Sequence, residues 1–308
     1  MIDYGAFPHR DKLLERVYTS LPVFKDAVVN SNVIPTAPVT TESSIGYDFT
    51  SPVFEIDGRW KVGTEVQTFY KGEGGEFTLR AYWYAFKDYL KKIHTDNDMP
   101  KSMVNLIENQ VVSDLKRMIV LSKEKQLHDL LTTTSNYASG FSTTPSTKWD
   151  DPTADIVADI QAGISKLSDV GLKPDTLILP YSVWTKIKFA PSFKNVYVDR
   201  NYATPAFLKD LFEIPNIIMP AFTTYGKPKK KSAYNPQNLW GDDVIIMTTQ
   251  PLGKGTYPFV VKALLSDAIV QRFPIDGETM SQKVIAREAV GYNMIHNNAG
   301  YLIKDVLS

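Results

Sequence analysis

The chain has 308 residues, of which 43% are hydrophobic and 22% charged, so it can bury a sizeable core in one large or two medium domains and is not a disordered protein. Lysine plus arginine balances aspartate plus glutamate at 34 each, which leaves no global field to draw it onto nucleic acid. Cysteine is absent, which excludes disulfides, thiolate nucleophiles and Cys-based zinc sites and fits assembly in a reducing cytoplasm.

Met1 to Arg16 is polar and charged, and the longest purely apolar run, Ala81 to Phe86, has six residues, so the sequence predicts neither a signal peptide nor a membrane span. Residues 1–45 read as an extended arm with a short helical piece at Asp11 to Tyr18, followed by Pro22, Pro35 and Pro38 among Val, Thr and Ser. Such an arm needs a surface to lie on. From Gly46 to Tyr84 the pattern turns to β, with Asp57-Gly58 as a hairpin turn and Gly72 to Gly75 as a second flexible turn. A two-residue turn at Asp57-Gly58 would pair Glu55 with Trp60 and Phe54 with Lys61 and leave neither face wholly apolar, so this ribbon is expected to project and find a partner surface.

The stretch from Asp98 to Leu131 predicts the longest helix, a spine about 50 Å long at 1.5 Å per residue. Asp98 is its expected N-cap and Pro100 fits the first turn. Val104, Ile107, Val111, Leu115, Met118, Leu121, Leu127 and Leu130 form its expected core stripe, leaving Lys101, Glu108, Asp114, Lys123 and Glu124 on the wet side. Thr132 to Lys148 reads as a surface connection or short strands. A second unit starts near Trp149, with a helix expected to be capped by Asp151, opened by Pro152 and ended at Gly171. Strand and helix signals then alternate: strand Thr176 to Leu179, helices Ser182 to Phe189 and Pro205 to Phe212, strand Asn216 to Met219, and strands Val244 to Thr248, Tyr257 to Leu265, Ala268 to Phe273 and Val284 to Tyr292. The last strands are expected to return to the spine, because an apolar terminus such as Gly300 to Ile303 is rarely left loose.

No catalytic constellation emerges. His9, His94, His128 and His296 are scattered without a paired metal-ligand spacing. His94 to Asp98 lacks the glycine and terminal glutamate of a calcium loop, and Gly72 to Gly75 lacks both phosphate-loop and dinucleotide spacing. The lysines at 227 and 229 to 231 read as a solvated loop, and no nucleophile elbow is present.

Several motifs in order nevertheless resemble one family. PDTLILPYSVW (174–184), FAPSF (189–193), TPAFLKDLF (204–212) and IIM (217–219) resemble the axial domain of tailed-bacteriophage major capsid proteins. LWGDD (239–243), AGYLI (299–303) and TKW (147–149) with Asp151-Pro152 extend the resemblance over nearly the whole chain. It implies an α+β Hong Kong 97-type capsid fold: an N-terminal arm at 1–45, an extended β-hairpin E-loop at 46–84, a peripheral domain at 85–148 holding spine 98–131, an axial A-domain at 149–267, and return strands at 268–308.

The same resemblance implies a shell protein and not an enzyme, without cofactor or metal, assembling with copies of itself as hexamers and pentamers around double-stranded DNA touched weakly and without sequence preference. A portal, a separate scaffolding protein and a decoration protein are its implied partners, and the virion capsid, assembled in the bacterial host cytoplasm, its implied location. Phe54, Trp60, Lys61, Val62 and Phe69 of the ribbon are the expected inter-subunit contacts. Nothing marks Lys61 or Lys71 for covalent cross-linking. An encapsulin-like compartment shell is the nearest alternative, and a soluble α/β enzyme a more remote one.

Overall fold

In a computed structural model of the chain, residues 9–21, 27–48, 75–91, 101–194, 202–221, 223–225, 236–250, 258–276 and 281–308 are described. The elements of the first half are β1 (His9–Arg10), α1 (Lys12–Ser20), β2 (Thr36–Pro38), β3 (Ser43–Asp48), β4 (Gly75–Arg80), β5 (Tyr82–Lys91), the spine α2 (Lys101–Thr132) and β6 (Ser142–Thr143). The second half adds α3 (Ile156–Asp169), β7 (Thr176–Ile178), α4 (Tyr181–Ile187), α5 (Pro191–Lys194), α6 (Pro205–Phe212), β8 (Asn216–Ile218), β9 (Thr223–Tyr225) and β10 (Pro236–Asn238). It ends with β11 (Val244–Met247), β12 (Val260–Asp276), β13 (Ser281–Met294) and β14 (Gly300–Ile303). The chain is thus mixed α+β.

Two larger sheets organise it. The first runs β1-β12-β13-β5, with β2 added parallel to β12, and is dominated by the long antiparallel hairpin of β12 and β13. Tyr257 to Leu265 and Ala268 to Phe273, expected as separate strands, belong from Val260 onward to the one strand β12, whose register shifts between Leu264 and Ile269 absorb the break in pattern. Against this sheet pack α1 and α2, burying Leu14, Tyr18, Val112, Leu115, Ile119, Val270 and Val284. Asp11 starts α1 by accepting from the backbone N–H of Leu13 and Leu14, which satisfies donors that a helix start leaves open.

The second sheet runs β6-β14-β11-β7-β8. Strands β7, β11 and β14 are buried at every position, as expected of short apolar runs covered on both faces. Gly300 to Ile303 lies in this second sheet, paired with Val244 to Met247, and shares one buried core with Val120, Leu127 and Leu131 of the spine, while β13 packs on the spine directly. Helix α3 covers β14 closely: a Cβ on Gly163 would sit 2.7 Å from the Tyr301 ring. The start of α3 also differs from expectation. Asp155 is its N-cap, accepting from Ala158 N–H, while Asp151 closes a local turn by accepting from the N–H and hydroxyl of Thr153. Gly171, at φ +77, ends α3 with Gly171 N–H bonded to Ser168 and Leu172 N–H to Leu167, a Schellman arrangement that L side chains adopt at a cost.

The spine carries the largest correction. Val111, Val112, Leu115, Ile119, Val120, Leu127 and Leu131 are the residues it buries, whereas Met118 is 50% exposed. Lys123 and Glu124, assigned to the wet side, are both buried. Glu108 faces inward too, 2.9 Å from Arg272, which also meets Asp11. The apolar periodicity could not reveal this because charged positions buried by pairing look the same as solvated ones.

Strands β3 and β4 form a ribbon base, in register from Ser43 with Arg80 to Asp48 with Gly75. Tyr82 to Tyr84, included in the expected ribbon, instead belong to β5 in the first sheet. The base is seated on β13, where the side-chain amide of Asn293 accepts from Arg80 N–H at 2.9 Å and donates to Arg80 C=O at 3.0 Å, copying a strand pairing. Gly291 permits the approach, since a Cβ there would fall 1.8 Å from the Arg80 carbonyl oxygen. Leu79 and Ala81 then pack on Val261 and Ala263, on a small core of their own.

Candidate functional site

Between the arm, the spine and the β12–β13 hairpin lies a seam of buried polar groups. Its centre is Glu124, 0% exposed, at the point where α2 passes beneath the turn at Val28–Asn30. Its carboxylate accepts from Val28 N–H and Val29 N–H at 3.0 Å each and from the indole Nε1 of Trp240 at 2.8 Å. Burial pushes the Glu124 carboxyl up from the usual range, against the opposing pull of these donors and of Lys123. The arm is thereby tied to the spine, and the spine to the loop that leads into β11.

One position earlier, Lys123 meets Glu288 of β13 at 2.5 Å, with both side chains about nine-tenths buried (10% and 12% exposed). The other Glu288 oxygen accepts from the Tyr18 hydroxyl at 2.6 Å. Burial first, and then the Glu288 charge, drives the Tyr18 phenol far above its ordinary value, so it stays a donor. Lys116 closes the end of α1 by donating to the carbonyls of Tyr18 at 2.6 Å and Leu21 at 2.8 Å, and burial lowers its pKa. Further along, Tyr84 donates to Gln126, and burial pushes its phenol up to about 12. The seam fixes arm position by directional bonds and charge, which a purely apolar contact would not do.

At the edge of the first sheet β5 exposes Tyr82, Trp83 and Tyr89, and among the described residues no strand pairs with its outer side. The spine adds exposed Met103, Leu106 and Met118, and α1 exposed Leu13. These are apolar contacts without a described cover. Phe54, Trp60, Lys61, Val62 and Phe69, the ribbon contacts expected from the sequence, lie outside the described residues, as do His94 to Asp98, the lysines at 227 to 231 and Lys71.

Among the described residues, Asp242, Asp243 and Asp305 converge within 4.8 Å. Two of the three carboxylates are engaged in holding the C-terminal segment: Asp243 accepts from Asp305 N–H at 2.9 Å and Asp242 from Leu307 N–H at 3.2 Å. His128 lies edge-on to Trp240 with ring centroids 5.4 Å apart, a packing contact. No helix among the described residues is long and apolar enough to cross a membrane.

No family model matches the sequence, and no curated protein matches it either. Solved structures do. A phage-related protein from Bordetella bronchiseptica RB50 is similar over 97% of this chain and 98% of its own, at 16% identity and a TM-score of 0.72. The mature capsid of bacteriophage PhiM1 is similar over 89% and 86%, at 10% identity and a TM-score of 0.55. The holo-encapsulin complex of Synechococcus elongatus PCC 7942 is similar over 89% and 85%, at 10% identity and a TM-score of 0.51. The architecture is that of shell-forming capsid proteins. More specifically, the chain has the Hong Kong 97-type fold of tailed-bacteriophage major capsid proteins.

Proposed function

We propose that the chain is a major capsid protein that self-assembles as hexamers and pentamers into an icosahedral shell around phage double-stranded DNA. The observation that carries this reading is the near full-length match, 97% of this chain and 98% of the other, to a phage-related protein. The balanced charge of the chain supports it, because a coat must let packaged DNA move and not grip it. Residues 1–45 serve as arm, 46–84 as E-loop, 85–148 as peripheral domain, 149–267 as axial domain and 268–308 as return strands in this reading. Phe54, Trp60, Lys61, Val62 and Phe69 cover a neighbouring subunit, and the exposed edge of β5 and the free apolar positions of the spine are surfaces that such a neighbour would bury. A portal, a separate scaffolding protein and a decoration protein complete the particle.

An encapsulin-like compartment is the second reading, favoured by the likeness to the holo-encapsulin complex. Expression of the full chain alone and with a scaffolding partner, followed by negative-stain microscopy, tests the shell. Closed particles of hexamers and pentamers are expected, and a protein that stays monomeric under all these conditions overturns the proposal. Nuclease-protected DNA inside particles then favours the virion, and a captured enzyme without DNA favours the compartment. Replacing residues 57–75 by a short Gly-Ser linker tests the ribbon contacts: near-native helix content with no closed shells is expected, and normal shells refute their role.

A further inference from the structure

A cleft of about 740 Å³ opens between α1, α2 and the β12–β13 hairpin. Six cations and three carboxylates line it, in a chain whose overall charge is balanced. Two of the carboxylates are already matched: Glu15 with Arg10 at 2.6 Å and Glu288 with Lys123 at 2.5 Å. The Lys116 ammonium is given to backbone carbonyls. Lys12 and Arg16, one turn apart on α1, and Lys262, on β12, have no carboxylate within ion-pair distance among the described residues. Lys12 and Arg16 are exposed at the rim and could rest in water, but Lys262 is half-buried beside Lys123, with Asp267 too far to pair. An ammonium placed there loses hydration and faces the like charge of Lys123, and these lower its pKa against the smaller opposing pull of Glu288 and Asp267. A bound anion would offset both.

We propose that this cleft binds a small anion carrying two or more phosphate groups, held between Lys262 at the floor and Lys12 and Arg16 at the rim. Its volume falls within the roughly 300–1,000 Å³ of small-molecule sites, but its lining is charged where such sites are usually apolar, which selects a polyanion over a hydrophobic ligand. Uncommitted cations from α1 and β12 face the space from two sides, so more than one phosphate group can be met at once. A free oligophosphate and the flexible backbone of a single strand share the chemistry that fits. The proposal is independent of whether the chain builds a shell.

Calorimetric titration of the full chain with inorganic tripolyphosphate, beside a single-stranded oligothymidylate, tests it. Saturable binding at one site per chain is expected, weakening with added salt and raising the melting temperature. Lys262→Met and Arg16→Gln should each weaken tripolyphosphate binding about tenfold or more, the scale of one lost charge-assisted contact, while Lys209→Met on exposed α6 leaves it unchanged. Because Lys262→Met removes a half-buried charge, the melting temperature without ligand should stay level or rise, which separates lost binding from lost folding. Oligothymidylate that competes with tripolyphosphate assigns the phosphate to a nucleic-acid strand; oligothymidylate that does not compete assigns it to a free anion. Absence of saturable tripolyphosphate binding, or binding indifferent to both Lys262→Met and Arg16→Gln, overturns the proposal.

Discussion

The indole Nε1 of Trp240 donates to Glu124 Oε1 across 2.8 Å, and that same oxygen accepts from Val28 N–H at 3.0 Å. One spine carboxylate therefore binds the arm on one side and the approach to the second sheet on the other. Neither contact spans neighbouring sequence, so the residue acts as a joint between parts that the chain brings together only on folding.

Glu124→Ala should leave the N–H groups of Val28 and Val29 and the Trp240 indole without their acceptor in a dry place. The expected cost is about 3 kcal/mol or more, since each unsatisfied buried donor costs about 1–3 kcal/mol. Urea unfolding measures it. Limited proteolysis should also cut the arm of the variant faster than that of the parent, because the arm loses two backbone anchors.

The pH dependence of the same joint has a definite sign. Burial raises the folded-state pKa of Glu124 above its ordinary value, so the fold binds its proton more readily than the unfolded chain does. Its contribution is then fully present below the ordinary glutamate range, near pH 4, and is lost as pH rises through the raised folded value. Stability of the parent relative to Glu124→Gln should accordingly fall as pH rises from about 4 toward neutrality. Denaturant unfolding across that range checks it, and a flat or rising difference would mean that the three donors outweigh burial.

The existence and extent of the spine were legible from apolar spacing, as was the α/β alternation after Trp149, because both depend on local period and on caps and breakers. The face of the spine was not. Val112 and Ile119 lie beside the expected stripe, and Lys123 and Glu124 were taken for solvent-facing groups because their partners, Glu288, Val28, Val29 and Trp240, are distant in sequence. The partners of Gly300 to Ile303 were hidden for a similar reason: an apolar run signals burial but not which sheet receives it. Trp240 in the LWGDD motif is the one signal that could have pointed to the joint, since a buried indole needs an acceptor.

The corrected face gives a direct test. Val112→Asp places a charge at a position with 0% exposure and should cost several kcal/mol or prevent folding, whereas Met118→Asp, at 50% exposure, should shift stability by about 0.5 kcal/mol or less. Thermal unfolding of both variants decides between this face and the stripe read from sequence, which would make Met118 the more damaging site.

Lys123 and Glu288 should show strong coupling. Glu288→Gln leaves the Lys123 ammonium without its counter-charge in a place where both side chains are about nine-tenths buried, at an expected cost of about 3 kcal/mol. Lys123→Met combined with Glu288→Gln should cost less than the sum of the two single changes, because the pair is removed together. A double-mutant cycle with additive effects would show that the pair is not formed.

The last prediction concerns the seating of the ribbon base. Gly291 is required not for its backbone angles but for the space above it, since a Cβ would lie 1.8 Å from the Arg80 carbonyl oxygen, and backbone cannot yield as a flexible side chain can. Gly291→Ala should therefore push Arg80 and Ala81 off β13, break the two Asn293 bonds at 2.9 and 3.0 Å, and open the small core of Leu79, Ala81, Val261 and Ala263. Asn293→Ala removes the same bonds without the clash at a partly exposed position, so it should cost about 1 kcal/mol, against about 3 kcal/mol or more for Gly291→Ala. Spine and second-sheet cores do not pass through Gly291, so circular dichroism of both variants should keep its helical signal. If β3 and β4 orient the E-loop for assembly, negative-stain microscopy of the same preparations should show fewer closed shells for Gly291→Ala than for Asn293→Ala. A Gly291→Ala protein with parental melting temperature would show that the ribbon base is not seated on β13 at this point.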